Sequence, residues 1–266
     1  MSSPAQDVGV LLRQWRKRRR LSQLDLASEA EISQRHLSFL ESGRSSPSRD
    51  MLLHLAEHLA VPLRERNALL VAAGFAPVYG ERALDDPALG ATRAAVDVIL
   101  AAQDPFPALA VDRHWTLLAA NKAASRLMAG VDPKLSRPPV NVLRLSLHPD
   151  GLGPRIRNFR QWRAHVLARL MSQIENSADP VLMALLNELK AYPIPAGSNA
   201  WSAAGSHDLA GIVVPLELVT DSGVLSFFST TTVFGTPLDI SLSELAIESF
   251  FPADAGTAEA MRGLAQ

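Results

Sequence analysis

Residues 21–43, LSQLDLASEAEISQRHLSFLESG, constrain this chain more than any other stretch. They hold two short runs of helical apolar spacing, each opened by a serine and separated by about one turn. Ser22 stands at the N-cap position of one helix, roughly Gln23 to Ala30. Ser33 does the same for a second, roughly Gln34 to Ser42, and Gly43 stops it. In this register Leu24, Ala27, Ile32, Leu37 and Leu40 point inward. Gln34, Arg35, His36 and Ser38 are left mostly outside.

The flanks extend the pattern. Val8 to Arg20 has apolar residues at 8, 11, 12 and 15, which is helical spacing. Ser48 opens a further helix with Met51, Leu52, Leu55 and Leu59 as its apolar face, and Pro62 starts another that ends near Gly74. Five short helices in about 75 residues predict a compact all-helical domain. A turn of three or four residues lets the third helix cross the second steeply. That is the helix-turn-helix arrangement, whose second helix enters the DNA major groove. Its polar side chains near the N-terminal end then reach base edges, and helix N-termini offer N–H groups to phosphates.

The charge agrees with a division of labour. The formal net charge is only −1, but residues 1–80 carry 11 Lys/Arg against 8 Asp/Glu, and residues 81–266 carry 15 against 19. A basic first part suits phosphates, and an acidic second part is screened beyond about 10 Å. The run Arg16-Lys17-Arg18-Arg19-Arg20 fits either DNA contact or a solvated helix end, where cations suit the helix dipole. There is no Cys, which excludes disulfides, Cys-ligated zinc and thiol catalysis. The N-terminus does not resemble a signal peptide and no apolar run reaches membrane-spanning length, so a soluble, cytoplasmic chain is expected.

The stretch RKRRRLSQLDLASEAEISQRHLSFLESGRSSPSRDMLLHLAEHLAV resembles the XRE-type, lambda-repressor-like helix-turn-helix family. Leu21-Ser22-Gln23, Ala27, Ser33 and Leu40-Glu41-Ser42-Gly43 carry the likeness. The resemblance implies a DNA-reading set of Gln23, Ser33, Gln34, Arg35, His36, Ser38, Phe39, Arg44 and Ser45. Gln23 falls where the family anchors a phosphate, and it can also brace Gln34. Gln34 suits adenine, and Arg35 suits guanine or phosphate. Phe39 fits either a thymine methyl or the core. Arg44 and Ser45 fall where the family touches DNA backbone. Arg16 and Glu41 match a family ion pair. The turn departs from the family, with Glu31 where glycine is usual; a positive φ there costs a non-glycine residue about 1 kcal/mol. His54-Leu-Ala-Glu57-His58 matches an inverted zinc-protease motif, but Leu55, Ala56 and Leu59 fit helix packing, so no metal is expected.

The second part reads as α+β. A turn-rich boundary spans Tyr79 to Pro87, and Pro87 to Ala102 is an Ala-rich helix suited to linking or dimer packing. Ala108–Val111 and Thr116–Ala120 read as strands around a turn at Asp112-Arg113, and Asn121 caps a helix to Met128. Helices follow at 139–147, 155–175 and 180–191. Strands return at 211–220, 223–234 and 245–251, the first two joined at Asp221-Ser222-Gly223. Helices are expected on one side of an antiparallel sheet. Gly205-Ser206-His207-Asp208 contains hydrolase residue types, but adjacent residues in a loop cannot form a triad. No phosphate-binding glycine loop or dinucleotide fingerprint occurs, so neither cofactor nor enzymatic activity is expected.

VDRHWTLLAANKAA, PPVNVLRLSLHPDGL, WRAHVLARL and FFSTTTVFGTPLDISLSELAIESFFPAD resemble the MmyB-like ligand-binding domain. That implies a PAS-like fold with an apolar pocket for a fatty-acyl-like effector. Trp115, Phe159, Trp162, Val166, Phe227 and Phe234 are candidate wall residues, with ordinary core packing as the alternative. Leu225, Phe227 and Phe234 are expected on one concave face. Arg144 and His148 are candidates for a ligand carboxylate or for neighbouring acids and carbonyls. The expected organisation is 1–78 for DNA binding, 79–104 as linker helix and 105–266 for ligand binding. Together these features predict a homodimeric, one-component transcription regulator on a palindromic operator. The alternative is a second domain that serves only dimerisation or protein docking.

Overall fold

A computed structural model describes residues 7–82, 86–196, 213–221, 223–235 and 239–264. The chain divides into two compact units: residues 1–82 with 237–243, and residues 83–236 with 244–266.

The first unit carries α1 (Val8–Arg18), α2 (Gln23–Glu29), α3 (Gln34–Glu41), α4 (Arg49–His58) and α5 (Leu63–Ala72). Side chains close the helix starts. Asp7, Ser22, Ser33 and Ser48 each accept a backbone N–H of the first turn. Ser22 and Asp25 form a reciprocal capping box. The core includes Leu12, Leu26, Leu37, Leu40, Leu52, Leu55, Leu59 and Leu70, all at most 1% exposed. Each fully buried leucine contributes about 1.5–3 kcal/mol. Leu24 departs from expectation. It is 61% exposed, and α2 buries Leu26 and Ala27 instead. Leu24 lies on the solvent side of the first turn of a seven-residue helix. At Gly9, a Cβ would stand 2.4 Å from the Leu40 carbonyl oxygen, so α1 approaches α3 at backbone distance.

The second unit contains α6 (Gly90–Ala102), β1 (Ala108–Val111), β2 (Leu117–Ala120), α7 (Lys122–Leu127), α8 (Pro133–Ser136), α9 (Val142–Leu147), α10 (Phe159–Ser177), α11 (Pro180–Ala191), β3 (Leu216–Thr220) and β4 (Gly223–Val233). Next in the chain comes the short α12 (Ile240–Ser243), which belongs to the first unit, where the Ile240 N–H donates to the Gly80 carbonyl at 2.8 Å. β5 (Ala246–Pro252) and α13 (Ala255–Leu264) complete the second unit.

The five strands form one curled antiparallel sheet in the order β2-β1-β5-β4-β3. Strand alternation separates its two faces. Leu109, Val111, Leu216 and Leu218 enter the main core with Val142, Leu147, Phe159, Trp162 and Leu170 of the helices. Ala108, Ala110 and Ile247 face the other way, against Val96 and Leu100 of α6. Helices therefore cover both faces, not one. The Ala-rich segment expected as a linker packs on the sheet and lies in the second unit. The expected helix at 155–175 begins at Phe159, because Ile156 bridges Leu218 of β3 in extended conformation. Residues 211 and 212 of an expected strand, Ser222 of its hairpin turn and the loop 205–208 lie outside the described residues.

Candidate DNA interface and ligand cavity

The DNA-facing geometry starts from the turn between α2 and α3. Glu31 has φ 52°, so it keeps the left-handed conformation that favours glycine. The Ile32 N–H then returns to the Ala27 carbonyl at 2.9 Å and closes α2. Ser33 Oγ accepts the His36 N–H at 3.1 Å and starts α3. On α3, Gln34 and Arg35 are exposed, and His36, Ser38 and Phe39 are half-buried. Phe39 is not part of the helical core. The guanidinium groups of Arg35 and Arg44 lie 5.3 and 5.9 Å from its ring centre. The Arg44 and Ser45 N–H groups donate to the Phe39 carbonyl, which folds the segment after α3 back on the helix.

A buried ion pair fixes α3. Arg16 donates through Nε and Nη2 to the two Glu41 oxygens, at 2.5 and 2.8 Å, and through Nη1 to the Leu21 carbonyl at 2.8 Å. Gln23 Nε2 donates to Glu41 at 2.8 Å, so this amide braces Glu41 and not Gln34. Burial pushes the Glu41 carboxyl up, but hydrogen bonds from Arg16 and Gln23 and the charges of Arg16 and Arg13 outweigh it. The carboxyl is held below its ordinary range, and the hydrogen bond to Glu41 holds the Arg16 guanidinium in its charged form.

The basic run is partly consumed by this architecture. Arg16 is buried in the ion pair. Arg19 donates to the Leu59 and Ala60 carbonyls at 2.8 Å, closing α4, and Arg18 lies 4.7 Å from the Trp15 ring centre. His54 Nε2–H donates to the Ala30 carbonyl at 2.9 Å, and the His58 ring stands edge-on to His54. His54 therefore helps close α2. Among the described residues, no group of three or more His, Asp or Glu is placed to hold a metal ion.

The second unit holds a cavity with an empty volume of about 780 Å³, open solvent included. The inner sheet face supplies Leu109, Leu216, Leu218, Phe227, Glu248 and Phe250, and α9 supplies Val142, Leu143, Leu145 and Ser146. Trp115, Leu127, Met128, Trp162, Val166 and Arg169 complete most of the wall. Trp162, Val166 and Arg169 share one side of α10 by their spacing of four and three. Trp115 has φ 66°, an unusual conformation for a bulky residue. The Asp112 carboxylate holds this turn by accepting the His114 and Thr116 N–H groups. The Trp115 indole N–H is satisfied by Gln173 at 2.8 Å, and that of Trp162 by Ser146 at 3.0 Å.

Of the expected wall residues, Trp115, Trp162, Val166 and Phe227 line the cavity. Phe159 is fully buried in the adjoining core. Phe234 packs with α6, Leu245 and Ile247 on the opposite face of the sheet, because its position is out of step with Phe227 in the strand alternation. Leu225 packs with Ala123 and Met261. Arg144 is an exposed residue held bidentately by Glu188 at 2.8 Å on both arms. That contact and the Tyr192 hydroxyl lower the Glu188 carboxyl against the effect of burial. His148 Nδ1 accepts the Asp150 N–H, and its ring meets Tyr192 edge-on. Neither Arg144 nor His148 lines the cavity.

The charged groups of the lining escaped sequence reasoning. Arg169 donates to Glu248 at 2.7 and 3.1 Å, and Thr231 Oγ1 donates to Glu248 at 2.7 Å. Arg169 also donates to Thr231 at 2.8 Å and lies 5.0 Å from the Trp115 ring centre. Two signals were available: a lone acid within the apolar strand AIESFFP, and an arginine in step with Trp162 and Val166.

An exposed polar helix after a tight turn, followed by an α+β unit with an apolar cavity, defines a helix-turn-helix transcription regulator with a ligand-binding domain. Residues 12–66 match the helix-turn-helix family, and residues 92–264 match the family described as MmyB-like transcription regulator ligand binding domain. The chain belongs to the MmyB-like transcription regulator family. No curated protein matches it. No helix among the described residues is long and apolar enough to cross a membrane.

Proposed function

We propose that this protein is a one-component regulator that binds a palindromic operator as a homodimer and senses a small, fatty-acyl-like molecule. Gln34, Arg35, His36, Ser38 and Phe39 are the base-reading candidates on α3. Gln23, Ser33, Arg44 and Ser45 are the backbone-positioning ones. The cytoplasm, where DNA is accessible, is the compartment this reading implies. The strand order β2-β1-β5-β4-β3 supports a PAS-like sensor domain.

The observation that carries the sensing half is the cavity, whose lining is nearly all apolar with a few polar groups. A second domain built only for dimerisation or docking has no need of such a space. Phe227, Glu248 and Phe250 lie on β4 and β5, and the α12 segment between these strands in the chain belongs to the first unit. This connectivity supports coupling between ligand and operator binding, which is reciprocal by thermodynamic necessity.

The test is calorimetric titration of the full-length protein with straight-chain acyl compounds of increasing length, with and without operator DNA. Burying a methylene contributes about 0.8 kcal/mol, so affinity should rise about fourfold per carbon until the cavity is full. Operator DNA should shift every ligand affinity by one common factor. Absence of binding at every length sinks the sensing reading.

A further inference from the structure

The polar end of the cavity specifies the ligand head group, an inference that rests on the acyl-sensing reading above. Among the described residues, only Ser146, Arg169 and Glu248 interrupt the otherwise apolar lining, with the backbone and the two satisfied indole N–H groups aside. Arg169 and Glu248 are already an ion pair, and the Glu248 side chain is 4% exposed. The guanidinium is fixed on three sides, by Glu248, by Thr231 and by the face of Trp115. His165, one turn earlier on α10, adds no positive charge, because burial and the nearby Arg169 both disfavour its protonation.

Such an end has no net charge to offer an anion. A carboxylate placed beside Arg169 also stands beside the buried Glu248 carboxylate. Two carboxylates in one apolar site repel, and the desolvation of the ligand's charge has no counter-ion to offset it. A neutral head meets a different site. Glu248 Oε1 accepts from Arg169 and Thr231, whereas Oε2 accepts from Arg169 at 3.1 Å and has a second lone pair. Arg169 uses both Nη2 protons and one Nη1 proton in these contacts, which leaves Nε–H and the other Nη1–H as donors. The pair therefore offers both an acceptor oxygen and unused N–H donors.

We infer that this cavity selects acyl-chain ligands whose head group is uncharged and both donates and accepts hydrogen bonds, such as a primary amide or an alcohol, and discriminates against the free carboxylate. An amide N–H would donate to Glu248 while its carbonyl accepts from Arg169. A carboxylate offers acceptors only.

The experiment compares decanoate, decanamide and decanol as calorimetric titrants of the full-length protein at neutral pH. The amide and the alcohol should each bind at least tenfold more tightly than the acid. In Glu248→Gln, which keeps the shape and removes the negative charge, Arg169 is released to a ligand anion. The acid should then gain at least tenfold over its affinity for the unaltered protein, and the amide should not. Tightest binding of decanoate to the unaltered protein overturns the head-group inference and leaves acyl sensing intact. Absence of binding by all three overturns both. The comparison among head groups on the unaltered protein decides the matter even if Glu248→Gln does not fold.

Discussion

Replacing Glu41 by methionine tests whether the α1–α3 ion pair holds the DNA-reading helix in place. Glu41 accepts three hydrogen bonds, two from Arg16 and one from Gln23, and its side chain is 2% exposed. Glu41→Met keeps the length of the side chain and strands the Arg16 charge, which retains only the Leu21 carbonyl among the partners described above. Breaking one side of a buried pair costs about 3–5 kcal/mol. A domain of about 75 residues has only about 4–11 kcal/mol in total, so the loss takes much of its stability. At about 4–8 °C per kcal/mol, the melting temperature of this unit should fall by about 12–40 °C. Arg16→Met with Glu41→Met should recover most of the loss, because apolar pairs of similar volume often replace buried ion pairs at little cost. Hydrogen exchange of α1 and α3 amides in the full-length protein reports this unit separately from the other. A single-variant cost below about 1 kcal/mol, or a double variant no better than the single, refutes the assignment of a stabilising role to the pair. The pH dependence gives a second check. Because the folded carboxyl lies below its ordinary range, its contribution is complete above the unfolded value of about 4.3 and disappears as pH falls through the folded value. Glu41→Met should therefore flatten the acid limb of the stability curve.

Arg35→Ala should weaken operator binding, and if Arg35 reads a guanine the loss of discrimination should be about 1–3 kcal/mol at a single base pair; unchanged affinity and unchanged specificity in a binding-site selection would remove Arg35 from the reading set. Chelators should leave folding and DNA binding intact, and His54→Ala should cost about 0.5–1.5 kcal/mol through the lost bond to the Ala30 carbonyl. Stoichiometric zinc by elemental analysis, lost on substituting His58, would contradict that role for the pair.

The parts legible in sequence were those fixed by short-range chemistry. A cap serine, the residue it caps and the apolar spacing behind it lie within one or two turns, so α2, α3 and α4 could be placed from Ser22, Ser33 and Ser48. Short apolar runs beside turn signals likewise announced β1 and β4. Short-range pattern failed where the neighbour across space decides. Leu24 looked like core but lies on the outside of α2, because packing against α3 selects Leu26. Arg144 looked available to a ligand but is claimed by Glu188, 44 residues away.

The chain's division into a helical DNA-binding part and an α+β part was determined by sequence, through caps, periodicity and charge. The identity of the cavity's polar end was decided only by tertiary structure. Arg169 and Glu248 stand 79 residues apart, and nothing local to either names the other. Sheet order places β5 between β1 and β4, and alternation turns Glu248 towards α10 in register with Thr231. A buried carboxylate needs a counter-charge and a full set of donors, and only the assembled sheet and α10 bring Arg169 and Thr231 within reach of it.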